Sequence, residues 1–327
     1  IGIPEGTYPP YIHSSGRIYR RVSDESDPKP ETDRHVLDLL WERGAKTRQR
    51  LEDFLSERPQ LSQAERTGPL HAYVYFLADP LHVGHHFSLA YDEFTGLMRA
   101  SAADSQSSIV FPLPNTYPTS DGFIARQVEG NDPMLETLTF RWWSDGNVRV
   151  SIPINTYDFR ASRERLDQLQ REFLHAIESS GYKSGRVAEF SLLVAIIVAM
   201  ADKYLRLRKC LRITDAFFGK IRIYETWRVI PYINMRSYIR RIAAHGFPVV
   251  QDEVLTCPPG LSSNSLVEMN ESTFSENATR PFLTVLPLVL KVLPAVGLEF
   301  CGLGEDKAFF EELVNAVGAS LERRPVR

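Results

Sequence analysis

Apolar side chains at Val36, Leu37, Leu40, Trp41, Leu51, Phe54 and Leu55 fall at helical spacing, which predicts helix between residues 33 and 57, with Gly44 placed to split it in two. The run 70–78 is rich in Tyr, Val and Phe and predicts a buried strand. Phe87, Ala90, Tyr91, Phe94, Leu97 and Met98 then recur three and four apart, predicting an amphipathic helix. Residues 123–128 read as a strand. Residues 135–143 and 147–154 flank Ser144-Asp145-Gly146, and Asp-Gly between two strand-like runs predicts an antiparallel hairpin. In the second half, Leu166, Leu169, Phe173 and Ile177 form a helical stripe that Gly181 is placed to end. A long helix is expected over 187–209, with Lys203, Arg206, Arg208 and Lys209 near the negative end of its dipole. A strand over 221–230, a helix over 232–245 stopped by Gly246 and Pro248, and a last helix over 306–323 complete the pattern.

The start of the chain has a different texture. Tyr11–His13 and Arg17–Val22 enclose Ser14-Ser15-Gly16 and predict a hairpin. Polar stretches at 23–33 and 60–68 read as a loop and a linker. The expected fold class is α+β. Its expected units are a hairpin unit over 1–40, a helical linker over 41–67, a mixed domain with the antiparallel hairpin over 68–160, and a predominantly helical region over 161–327. The chain opens on Ile1 within a strand-like Ile-Gly-Ile-Pro-Glu-Gly, as expected of a piece of a longer protein.

Composition narrows the classes. With 327 residues and 43% hydrophobic content there is ample material for a core. A net charge of −3 argues against a whole-molecule field that gathers nucleic acid and leaves local basic patches as the route to it. Cys210, Cys257 and Cys301 are far apart and odd in number, which fits a reducing, cytoplasmic compartment. The apolar run 188–200 is too short to span a bilayer, and 281–298 contains Lys291, Pro287 and Pro294, so no membrane partner is expected.

Ile1–Ile3, the Pro4–Gly6 turn, Pro10-Tyr11, Gly16 and the strand ending Tyr19-Arg20-Arg21-Val22 resemble, in order and spacing, the C-terminal end of the Schlafen-type AlbA domain. The resemblance covers about 40 of the 327 residues. It implies a bacterial protein that binds DNA or RNA, with ATP as a further ligand, in a regulatory or antiphage-defence role. After Arg-Val the family continues Gly-Ser, whereas this chain has Ser23-Asp24. The acidic and lysine-bearing segment associated with nuclease activity in some relatives is not in this sequence, so no catalytic role follows. The residues support binding on their own account. Arg17, Arg20 and Arg21 with Tyr8, Tyr11 and Tyr19 put cations beside aromatic faces, and phosphates attract the cations while unstacked bases stack on the rings. A second basic stripe, Arg236, Arg240 and Arg241, reads as a solvated helix face.

Asp79-Pro80-Leu81-His82-Val83-Gly84-His85-His86 offers another chemistry. A His-x-Gly-His turn between a strand and a helix is the phosphate-handling turn of nucleotidyltransferases. There the histidines and helix N–H groups neutralise charge on the transferring phosphate. That reaction also needs a second phosphate turn on a parallel sheet, and the nearest candidate, Ile154–Arg160, lacks the hydroxyls. The span between the turns already holds an antiparallel hairpin. His82, His85 and His86 are therefore expected to form a polar turn able to hold an anion, with nucleotidyl transfer through His82 and His85 as the alternative. No metal site is expected, because no ligand-spaced Cys or Glu accompanies them. A further alternative is an assembly scaffold, a homo-oligomer carrying an upstream nuclease or effector.

Overall fold

The structure, a computed structural model, describes residues 10, 12–20, 29–58, 70–78, 86–99, 111–127, 137–154, 156–157, 166–182, 186–270, 280–297 and 311–317. In chain order the elements begin with β1 (Tyr19–Arg20), β2 (Lys29–Pro30), α1 (Arg34–Ser56), β3 (Leu70–Leu77) and α2 (Tyr91–Arg99). β4 (Asn115–Thr119), β5 (Gly122–Arg126), β6 (Thr139–Trp143), β7 (Val148–Ile154) and β8 (Thr156–Tyr157) follow. Next are α3 (Gln168–Ser179), β9 (Arg186–Glu189), α4 (Phe190–Cys210), β10 (Phe217–Tyr224), β11 (Val229–Tyr232) and α5 (Arg236–His245). β12 (Val254–Cys257), β13 (Val267–Met269) and α6 (Arg280–Ala295) come after these, and a helix over 311–317, α7, is the last described element.

The fold is α+β. An antiparallel sheet of eight strands runs β12-β10-β3-β7-β6-β5-β4, and β13 pairs with β10 beside β12. A second sheet, β11-β9-β8, has three strands, with β11 parallel to β9. Strands from 217–269 thus pair into the same sheet as strands from 70–154, so the units expected over 68–160 and 161–327 share one sheet. The region expected to be predominantly helical supplies five strands, β9 to β13.

β3 is buried along its whole length, and its two faces serve two cores. Leu70, Ala72, Val74 and Phe76 join the main core with α2, α4 and α6. Tyr73, Tyr75 and Leu77 point the other way, onto Leu51 and Leu55 of α1. α1 is continuous through Gly44, which is buried on its sheet-facing stripe with Thr47, Leu51 and Leu55. The glycine lowers helix propensity without ending the helix. Asp33 caps α1 by accepting from the His35 N–H, and Asp167 forms a reciprocal capping box with Gln170 at α3.

Two elements differ from expectation for local reasons. The helix expected from residue 187 begins at Phe190, because Arg186–Glu189 pair with β8 and β11 as a strand. The strand expected over 221–230 breaks after Tyr224. Glu225 and Arg228 take left-handed φ of 62° and 56°, and Thr226 is tied to the Asp252 and Glu253 carbonyls, so the chain leaves one sheet and enters the other.

Candidate nucleic-acid interface

The N-terminal hairpin turns at Ser14-Ser15. Gly16, at φ 76°, returns an N–H to the His13 carbonyl at 2.8 Å, and His13 N–H donates to the Arg17 carbonyl at 2.9 Å. Ile12 and Ile18 form an antiparallel bridge. Tyr19 and Arg20 then pair with Pro30 and Lys29, which joins the hairpin to the start of α1. The His13 ring meets Tyr19 edge-on at 5.3 Å and fixes the phenol. Tyr19 is 37% exposed, and Arg17 is exposed. The structure therefore places Arg17 and Tyr19 on one small ribbon, with the Arg20 backbone in its ladder. Tyr8, Tyr11 and Arg21 lie outside the described residues.

A second group of cations lies on the α1-bearing face of the main sheet. Arg149 faces Tyr75 across the β3–β7 ladder, and Arg222 faces Tyr73 across β3–β10. Arg149 donates to the Glu57 carboxylate and lies 4.7 Å over the Tyr73 ring. Arg222 Nη1 donates to the Leu55 carbonyl at 2.6 Å, and Tyr224 Oη donates to the Glu57 carbonyl at 2.7 Å. Arg141, level with Arg149 on β6, lies 4.5 Å over Trp143 and reaches Asp121 at 3.4 Å. The Arg141, Trp143 and Arg149 group was not singled out from sequence. Its signal was the odd-numbered parity of Arg-Trp-Trp-Ser-Asp-Gly-Asn-Val-Arg: once the hairpin register is set, Arg141, Trp143 and Arg149 share a face.

Of the histidine turn, His82 and His85 lie outside the described residues. His86 Nδ1 is 3.2 Å from Ser144 Oγ, and the Phe87 N–H donates to the Ser144 carbonyl at 2.7 Å. His86 thus docks on the β6–β7 turn. α2 begins only at Tyr91, so His86 is not in its first turn. β3 lies between two antiparallel neighbours. The strand–turn–helix on a parallel sheet that nucleotidyl transfer requires is absent from these described residues. Ile154 ends β7, Thr156 belongs to β8, and Asn155 and residues 158–160 lie outside the description.

Other buried ionisable groups serve the fold. Lys203 donates to the last-turn carbonyls of α2, Leu97 at 3.3 Å and Met98 at 3.0 Å. Lys220 donates to the Pro258 carbonyl at 2.8 Å, the Ser265 carbonyl at 2.7 Å and Ser265 Oγ at 3.1 Å. Burial lowers each ammonium to about 8. Burial also pushes the Cys257 thiol up to about 11, the opposite of what a nucleophile needs. Arg236, Arg240 and Arg241 are exposed on α5, as expected of a solvated stripe. Among the described residues no cluster of three His, Cys, Asp or Glu side chains could hold a metal, and no helix is long and apolar enough to cross a membrane.

Comparison with protein families, with characterised proteins and with solved structures finds no match to this chain.

Proposed function

We propose that the protein binds nucleic acid in the cytoplasm, and that its N-terminal hairpin contacts the sugar-phosphate backbone. The observation that carries this reading is the exposure of the hairpin's functional groups. Arg17 and Tyr19 both face solvent, and Arg20 stands opposite Lys29 on the ladder. Cations on an exposed ribbon displace counterions from phosphates, and an exposed phenol offers a π-face to an unstacked base. The resemblance of the first residues to the Schlafen-type AlbA domain supports the same reading and implies a regulatory or antiphage-defence setting in a bacterium, with ATP as a ligand to test. Free thiols at Cys210 and Cys257 accord with a reducing compartment.

The test is anisotropy of labelled DNA and RNA between about 50 and 200 mM salt. Binding should weaken as salt rises, and the log–log slope should fall by about one unit for each of Arg17, Arg20 and Arg21 changed to Ala. Binding that ignores salt, or that the triple variant leaves unchanged, rejects the reading.

A further inference from the structure

Paired residues on neighbouring strands share a face. The register across β4, β5 and β6 puts Tyr117, Ile124 and Arg141 in one row, with Trp143 two residues along β6 from Arg141. Ala125, Phe140 and Trp142 point the other way, into the main core. α1 covers this face over β3 and β10 and meets β6 through Phe54, whose ring stands edge-on to Trp143 at 5.0 Å. Beyond that contact the row reaches solvent. Tyr117 is 41% exposed, and Ile124, Arg141 and Trp143 are half-buried.

Among the described residues the charge on this face is uneven. Its cations are Arg126, Arg141, Arg149, Arg222 and Lys220, and its acids are Glu57, Asp121 and Glu268, with Asp145 in the β6–β7 turn beside Asp121. Toward α1, Arg149 is matched by Glu57, while Arg222 and Lys220 are held by carbonyls. At the open end Arg141 is only loosely matched. Its contact to Asp121 is long at 3.4 Å, that carboxylate already accepts from Thr119 Oγ1 at 3.0 Å, and Arg141 Nε has no acceptor among the described residues. The guanidinium carbon lies 4.5 Å from the Trp143 ring centroid, and the Arg141 side chain is 32% exposed.

We propose that this open face of β4–β6 binds single-stranded nucleic acid, with Arg141 on a phosphate and Tyr117 stacked on a base; the inference rests on the nucleic-acid reading above and assigns it a second surface. A single strand fits because its bases are free to lie on an exposed ring, whereas a duplex keeps them stacked inside. Arg141 supplies the fixed cation that the backbone needs beside that ring.

The experiment compares oligo-dT, oligo-U and a DNA duplex of equal length by anisotropy, using the unaltered chain, Tyr117→Ala, Tyr117→Phe, Arg141→Gln and the Arg17→Ala/Arg20→Ala pair, each checked for an unchanged unfolding midpoint. Tyr117→Ala should weaken both single strands about ten-fold, and Tyr117→Phe should stay within about two-fold. Arg141→Gln should lower the salt slope by about one unit. Duplex affinity should not respond to Tyr117→Ala. A loss restricted to oligo-dT or to oligo-U would support the face and name its ligand as DNA or RNA. If Tyr117→Ala and Arg141→Gln leave single-strand affinity unchanged while the hairpin pair lowers it, the face is rejected and the hairpin reading stands. No binding of any of the three by the unaltered chain overturns both.

Discussion

Arg222 Nη1 donates to the backbone carbonyl of Leu55 at 2.6 Å, joining the sheet to the last turn of a helix 167 residues earlier in the chain. The final carbonyls of a helix have no intrahelical donor, and a guanidinium suits the negative end of the dipole. Arg222 also lies 5.0 Å over Tyr224, whose hydroxyl donates to the Glu57 carbonyl just past the end of the helix. α1 is thereby fixed over Tyr73 and Tyr75. Arg222→Leu is expected to lower the unfolding free energy by about 2–3 kcal/mol, because the lost bond is charge-assisted and leaves a carbonyl unpaired. Urea titration measures it, and a loss below about 0.5 kcal/mol would show that the Arg222 bond does not hold α1 in place.

Gly146 closes the β6–β7 hairpin at φ 88°. A Cβ there would lie 2.9 Å from both the Ala78 Cβ and the Phe87 Cε2 atoms. Gly146→Ala therefore meets left-handed strain of about 1–2 kcal/mol and crowding of a further 1 kcal/mol or so. A drop of about 2–3 kcal/mol is expected in urea titration, together with altered contact between His86 and Ser144. An unchanged midpoint would contradict the described turn.

Lys203 and Lys220 give the protein a distinctive alkaline profile. Both are buried and lowered by burial from 10.5 to about 8. Between these values the unfolded lysines still hold protons that the folded ones have lost, so stability rises with pH. Cys257, raised by burial from 9.0 to about 11, acts oppositely above pH 9, and Tyr204, raised by burial to about 12, does so above pH 10. The melting midpoint should therefore climb from pH 8 to pH 9, climb more slowly to pH 10, and then level or fall. Lys220→Met should remove about half of the climb. A midpoint that falls between pH 8 and pH 9 contradicts the burial of these ammonium groups.

Much of the fold was legible because its strongest signals are local. The Asp145-Gly146 hairpin, the 70–77 strand and the stripe through Phe173 and Ile177 appear where periodicity and turn chemistry put them. The sheet's assembly was not legible. β10 pairs with β3 across more than a hundred residues, and nothing in either strand names its partner. Val187 and Ala188 fit the period of the following helix and of a strand equally well, and pairing with β8 and β11 decided the outcome. The same holds for the site. The Arg17–Tyr19 ribbon was visible because one turn makes it, whereas the Tyr117–Arg141–Trp143 row exists only once three strands are in register.

The most direct test of nucleic-acid binding is a salt series with a labelled single strand, read by anisotropy at fixed temperature. A straight decline of log affinity against log salt is expected, with a slope of about −2 or steeper that becomes shallower when Arg17, Arg20 and Arg21 are changed to Ala. No anisotropy change at the lowest salt, or an affinity that does not vary with salt, would contradict it.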